Sequence, residues 1–422
     1  MKFQETYKST LALLAAMLAV IGTTATVVHG QQAGDASEMP DVAAPEIGDP
    51  TSAAELEDLQ AVASQFGISL QEAMDRYAWN DNFALAVSKI REAAPDAFTG
   101  AEIVDASNAW VAFASDAPQA ALDIISTFRS SHSRVSVEVR TDKGFTEVEL
   151  EKAIQAAHFA VYEATEVQDA STTFDYATGE IKAVVVLEST ASDSVLDALR
   201  VDATSKVADA TRADILNNIT TSVVRSDHDV LGVTDSDTEH LGGEALSTCT
   251  SGFGIKTSSQ TRGISTAGHC NNSQSDDGTS LTAHGEHKGS HGDFQWHTGP
   301  DYDDHSDDFY SGHVTSHEIH RRDVSAVGSP TVGQTLCRNG KVSNRDCQKV
   351  RKLNVCNGVY CNLVQMEARL STGGDSGGPV YAGNTAYGLH QGGMTDPWPL
   401  WRDLFSRADR IDDALGISIA TD

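Results

Sequence analysis

Near residue 240 the chain changes texture, and that change limits the folds open to each side of it. Before it, apolar residues recur at helical spacing and cysteine is absent. After it, short segments are broken by Gly, Ser, Asn and Asp, and all six Cys and ten of the fifteen His are found there. Short runs between turn residues predict an all-β barrel or sandwich for residues 241–422. Mixed helical and alternating runs predict an α+β layout upstream. Charge divides at the same place. The first 240 residues carry 39 acidic and 15 basic residues, the rest 21 and 15. The overall charge of −30 argues against a nucleic-acid partner, because phosphate binding needs clustered Lys and Arg.

Lys2 and Lys8 precede an apolar run, Leu11–Ile21, with small residues behind it. The run is too short for a bilayer, which needs about 20 residues. The pattern predicts a secretory signal peptide over residues 1–30, with cleavage after Ala25, Gly30 or Ala33. A secreted, extracellular protein follows, with no membrane partner, and disulfides become permissible. Residues 31–52 are polar, acidic and Pro-bearing and read as a linker. From 53 to 240 the pattern predicts one long helix over residues 70–90, opened by a capping box at Ser69 and Glu72. Strands are predicted at Ala109–Phe113 and Arg134–Val139. A helix follows the Thr146/Glu149 capping box, and a hairpin joins residues 172–176 to 180–187. A helix over 192–210 and a strand near Thr221–Val224 complete this part. No nucleophile–base motif or metal spacing occurs in it, and its acidic side chains are expected to form a solvated face. Near the C-terminus Ser406 is expected to cap a helix that Gly416 stops.

Chemistry concentrates in the second half. Gly374-Asp375-Ser376-Gly377-Gly378-Pro379 surrounds a serine with glycine, which lets the backbone turn tightly and approach a substrate. Such a hydroxyl needs a general base and N–H donors for an oxyanion. Ser265-Thr266-Ala267-Gly268-His269-Cys270 offers an imidazole among small residues. Asp293 opens a strand-like run (Gly292-Asp293-Phe294-Gln295-Trp296) and is the candidate to orient that imidazole. Asp301, Asp303, Asp304, Asp307 and Asp308 compete, but most of them sit in an acidic run read as a solvated loop. The same serine motif satisfies G-x-S-x-G, yet that elbow needs Ser, acid, then His along the chain. The only His after Ser376 is His390, which precedes Asp396, so the elbow reading fails.

STAGHC and GGDSGGP, in the order His, Asp, Ser, resemble the chymotrypsin-like serine peptidases, and most closely their bacterial secreted branch of streptogrisins and α-lytic protease. CTSGF (Cys249–Phe253), VGQTLCRNG (Val332–Gly340) and ALGISI (Ala414–Ile419) resemble that branch too. The resemblance implies two six-stranded antiparallel β-barrels and a C-terminal helix for residues 241–422. It implies an α+β pro-region, residues 31–240, that inhibits the enzyme and assists its folding. The junction would lie at Glu239–Gly243, with the mature chain starting near Leu241 or Gly242. Ser376 would be the nucleophile, His269 the base and Asp293 its orienting carboxylate. Gly374 and Ser376 would supply the oxyanion hole. An internal Arg would hold Asp375. The implied disulfides are Cys249–Cys270 and Cys337–Cys347, which leaves Cys356 and Cys361 to staple a short hairpin.

The substrate pocket is expected between Leu370–Gly373 and Tyr387–Gly393, lined by Leu370, Ser371, His390, Gly392 and Gly393. No Asp stands at the position corresponding to its base, so a large apolar or aromatic side chain is expected before the cut. His390 occupies what looks like the place of a pocket His in glutamate-preferring relatives. Gln391 replaces the Ser that normally supports the catalytic carboxylate. No cofactor or metal is expected: His313, His317 and His320 lie close, but His317-Glu318-Ile319-His320 is one residue short of H-E-x-x-H. The expected protein is a monomeric endopeptidase acting on peptide substrates. A silent barrel used as a binding module and an esterase on the same fold are the alternatives.

Overall fold

The computed structural model describes residues 52–188, 193–225, 242–276, 278–300, 307–312, 321–395 and 401–421. The signal segment, the linker up to Thr51, residues 239–241 of the junction, and His313, His317 and His320 lie outside the described residues. Among those described, no helix is long and apolar enough to cross a membrane.

The first half begins with α1 (Ala53–Phe66), started by a capping box of Ser52 and Glu55. The single helix expected over residues 70–90 is two, α2 (Leu70–Tyr77) and α3 (Asn80–Ala93). The two serve different cores. Ala73 of α2 packs in a cluster with Phe253, Phe309 and Tyr381 of the second half. Phe83, Val87 and Ile90 of α3 pack with Phe98, Val111 and Phe128. The chain turns between them at Trp79, whose buried indole N–H donates to the Ala106 carbonyl at 3.0 Å. Strand β1 (Phe98–Ile103), unforeseen in the sequence, pairs antiparallel with β2 (Asn108–Phe113). Helix α4 (Gln119–Ser131), also unforeseen, leads to β3 (Ser136–Arg140), which lies parallel to β2. The Thr146/Glu149 capping box is formed and opens α5 (Glu147–Tyr162). The hairpin β4 (Val167–Asp175) and β5 (Glu180–Leu187), then α6 (Asp193–Ala210) and β6 (Thr220–Arg225), finish this half.

The second half is built of strands. β7 (Gly254–Thr257), β8 (Arg262–Thr266), β9 (Thr282–Gly289) and β10 (Gly292–Thr298) form one sheet. Its order is β9-β10-β8-β7 and then a strand from the chain's end, Ile417–Ile419. This sheet has five strands, not the six that the resemblance implies. After His269 the chain runs through turns and a short separate pair, Ser275–Asp276 with Thr279–Ser280, instead of adding a strand. The other sheet comprises β11 (Thr335–Arg338), β12 (Asp346–Asn357), β13 (Tyr360–Met366), β14 (Pro379–Ala382), β15 (Thr385–Thr395) and β16 (Trp401–Arg407). These six pair antiparallel in the order β11-β14-β15-β16-β13-β12, and β11 pairs back with β12, so six strands close into a barrel, with the short segment Ala326–Val327 added parallel to β15. The terminal helix is short. Ser406 belongs to β16 rather than capping a helix, and only Ile411–Leu415 is α-helical, ended by Gly416 in the left-handed conformation.

The halves share a sheet. Beyond its barrel contacts β12 pairs with β4, Cys356 opposite Thr172 and Asn357 opposite Ser171. Buried His158 of α5 donates from Nε2 to the Gly358 carbonyl at 2.7 Å. The acidic side chains of the first half do not all form the expected solvated face. Glu57 and Asp58 of α1 meet Arg322 and Arg345, at 2.9 and 2.6 Å from Glu57. Glu151 takes Arg410 at 2.6 Å and is buried. A carboxylate inside an interface must find a cation or a donor, and the second half provides them.

Asp81 of α3 meets a donor and, among the described residues, no cation. It receives the Tyr387 hydroxyl. Burial pushes its carboxyl up from 3.8 to about 7, and the Tyr387 hydrogen bond opposes this. The folded chain therefore keeps this proton to higher pH than the unfolded chain does. The group costs nothing below about pH 4, destabilises progressively as pH rises to 7, and carries its full penalty above that. Urea unfolding of the Ser376→Ala chain at pH 5 and pH 8 tests this. Asp81→Asn is expected to flatten the fall in stability between those pH values by ~1 kcal/mol or more. An unchanged slope would mean that Asp81 titrates as a solvated carboxylate.

Candidate active site

His269 follows β8, and Asp293 is the second residue of β10. Antiparallel pairing sets Gln295 opposite Thr266 and Trp296 opposite Ser265, which brings the two residues together. The Gln295 amide also donates to the Ala267 carbonyl at 2.8 Å. His269 Nδ1 lies 2.5 Å from Asp293 Oδ2. A carboxylate only accepts, so Nδ1 carries the proton and Nε2 is left as the acceptor. Asp293 is fully buried, while the His269 side chain is 34% exposed. The backbone N–H of Asp293 donates to Ser406 Oγ at 2.9 Å, which ties its main chain to β16. Gly268 is obligatory on space alone: a Cβ there would meet Phe294 O at 2.7 Å and Asp293 Oδ1 at 2.8 Å.

Ser376 lies in the loop between β13 and β14. Thr250 secures that loop from the first sheet: its hydroxyl donates to Gly374 O and its N–H to Ser376 O, both at 2.8 Å. Thr266, three residues before His269, donates to Thr250 O at 2.7 Å. Gly377 takes φ +91°, and a Cβ on it would fall 2.0 Å from Thr266 Oγ1. The N–H groups of Gly374 and Ser376 donate to no group among the described residues. The Ser376 hydroxyl points to the Gln391 carbonyl at 3.4 Å and is not hydrogen-bonded to His269.

The Arg that holds Asp375, left open by the sequence, is Arg338, at 3.2 Å from Nη1 to Oδ2. Asp375 also accepts N–H bonds from Thr372, Val342 and Ser343 at 2.8, 2.9 and 3.0 Å. Burial pushes its pKa up, but Arg338 and these hydrogen bonds outweigh it and hold the carboxyl below its ordinary value. The motif VGQTLCRNG contained this residue, but nothing in the spacing distinguished it from other Arg.

Of the expected pocket residues, Leu370 is exposed, Ser371 is at the edge of burial, and His390 is buried. Burial, reinforced by Arg338, lowers His390 to about 4, so it is neutral at neutral pH. Open space lies over Gly392, and Gly393 abuts Trp401. The sequence missed Asp403 of β16, which is fully buried. It accepts from Leu370 N at 2.9 Å, Ser371 N at 3.2 Å and Ser371 Oγ at 2.5 Å. The resemblance places the pocket base near Leu370 and Ser371, whereas Asp403 arrives from a strand about thirty residues further along the chain.

The structure pairs Cys249–Cys270, Cys337–Cys347 and Cys356–Cys361. One group of three metal-binding residue types occurs among the described residues, Cys249, His269 and Cys270, and both of its sulfurs are spent in a disulfide.

No family model matches the chain. Serine protease 2 of Streptomyces fradiae is 32% identical over 167 residues, covering 36% of this chain and 93% of that protein. Streptogrisin-A of Streptomyces griseus is 30% identical over 167 residues, 36% of this chain and 51% of its own length. Among solved structures, a glutamic-acid-specific serine protease aligns with 43% of this chain and all of its own at 23% identity and TM-score 0.37. With nearly the whole of Serine protease 2 matched at that identity, the chain belongs to the chymotrypsin-like serine peptidases, in the bacterial branch of streptogrisins and α-lytic protease, and is a serine-type peptidase.

Proposed function

We propose that the protein is a secreted serine endopeptidase made as a zymogen, with a signal peptide at residues 1–30, a pro-region at 31–240 and the catalytic domain at 241–422. The observation that carries the catalytic assignment is the His269–Asp293 bond, set beside a glycine-rich loop whose Gly374 and Ser376 N–H groups donate to no group among the described residues. Asp293 keeps the proton of the imidazole on Nδ1. Rotation of the Ser376 hydroxyl away from Gln391 presents it to His269 Nε2. Nε2 removes the proton as Oγ attacks the peptide carbonyl, and the N–H groups of Gly374 and Ser376 receive the oxyanion. The imidazolium then protonates the leaving amine, and water clears the acyl-enzyme by the same route in reverse.

The pro-region reading is supported by the strand pairing of β4 with β12. Non-local β pairing is slow to form, and a preformed partner strand lowers the loop-closure cost that must be met first. An apolar or aromatic side chain before the cut is supported by neutral His390 and by the open space over Gly392. The silent-barrel alternative draws on Gln391 standing where relatives carry Ser and on the Ser376 hydroxyl being turned to the Gln391 carbonyl.

Two experiments test these assignments. Secreted protein treated with a fluorophosphonate probe should carry the label on Ser376 of a fragment near 180 residues, and Ser376→Ala should abolish both label and peptide cleavage. A properly folded fragment that takes no label would leave the barrel as a binding module. In a panel of otherwise identical peptides, Phe or Leu before the cut is expected to exceed Lys by ~100-fold or more in kcat/KM, in line with burying a large apolar side chain against leaving a cation unpaired. A preference for Lys would refute the apolar pocket.

A further inference from the structure

We infer that Asp403 is a specificity-determining residue that makes the floor of the substrate pocket anionic, so that an acidic side chain before the scissile bond is rejected. The inference rests on the pocket proposed above.

Asp403 stands directly opposite Gly393 across β15 and β16. Paired residues in an antiparallel ladder present their side chains on one face, and Gly393 has none, so the Asp403 side chain occupies that face alone. It reaches the opposite wall, where it takes both N–H groups of Leu370 and Ser371 and the Ser371 hydroxyl. Gln348 donates to it as well, at 2.9 Å. The carboxylate thus joins the two sides of the pocket from beneath.

The charge around it does not balance. Arg338 is the guanidinium facing this group, with Nε 4.0 Å from Asp403 Oδ2, and it also faces Asp375 and Asp346. Among the described residues three carboxylates share this one guanidinium, and all four side chains are nearly or fully enclosed. His390 faces the same cluster, where burial and Arg338 favour its neutral form while Asp403 and Asp375 oppose that. The cavity between His390, Arg338, Gln348 and Asp403 measures about 10 Å³, room for one water at most and not for a hydrated cation. An excess of buried negative charge is weakly screened, and a carboxylate entering the pocket above it meets that field. Asp403 is nevertheless no receptor for Lys or Arg. It has no exposed surface, and four donors already occupy it.

The test compares kcat/KM for peptides with Phe, Glu or Lys before the cut, at pH 8.5, with active sites counted by fluorophosphonate labelling. That pH lies above the value of about 7 to which burial pushes Asp346, so the cluster is ionised. Asp403→Asn is expected to raise the Glu-to-Phe ratio about tenfold. Asp346→Asn removes a carboxylate of the same cluster without touching the pocket wall, and is expected to raise the ratio severalfold. It decides the matter if the Asp403 variant does not fold. An unchanged ratio in the folded variants, or an equal loss on Phe and Glu, would overturn the inference by leaving Asp403 a purely structural tie. A labelled wild type that prefers Glu, or a Lys preference that Asp403→Asn destroys, would overturn it as well. A wild type that takes no label and cuts none of the three peptides would instead fail the peptidase mechanism, and the pocket assignment with it.

Discussion

The buried guanidinium of Arg338 is the contact on which the geometry around Ser376 depends. It is held in place before it acts: Arg338 pairs across β11 and β12 with Asp346, one residue beyond the Cys337–Cys347 bridge. From there it reaches Asp375, and Asp375 gathers the N–H groups of three residues from two loops. The neighbours of Asp375 are Gly374 and Ser376, whose N–H groups donate to no group among the described residues. Loss of one member of such a buried ion pair typically costs ~3–5 kcal/mol, because the other charge stays enclosed. Here the loss would fall on the loop that carries Ser376.

The two halves of the chain depend on each other through similar physics. The end of β12 would be an open edge with unpaired N–H and C=O groups, and β4 covers it. The Cys356–Cys361 bridge at that edge is buried in one core with Leu150, Ile154 and Val185 of the first half. Acidic side chains of α1 and α5 meet Arg322, Arg345 and Arg410 in the second half. The larger negative charge of the first half is therefore partly a docking feature, and reading it only as a solvated surface missed that role.

How much was legible differs from element to element. The Thr146/Glu149 box and the hairpin over 172–187 were readable because their determinants lie within a few residues of each other. The split between α2 and α3 was not, since periodicity over 70–90 is continuous and the break serves two separate cores. Ser406 reads as a helix cap by local chemistry. Its actual partner is the N–H of Asp293, more than a hundred residues away.

By itself the sequence determined which residue types were available and in what order: His269, Asp293 and Ser376, glycine where a side chain would collide, and six cysteines after residue 240. These depend on local chemistry, which a short window displays. Only the tertiary structure decided which Arg holds Asp375, which Asp ties Leu370 and Ser371, and which hydroxyl meets the Asp293 N–H. Those choices are made by strand register between segments tens to hundreds of residues apart. A side chain's neighbours across a ladder follow from where the barrel closes, and no local window contains that closure.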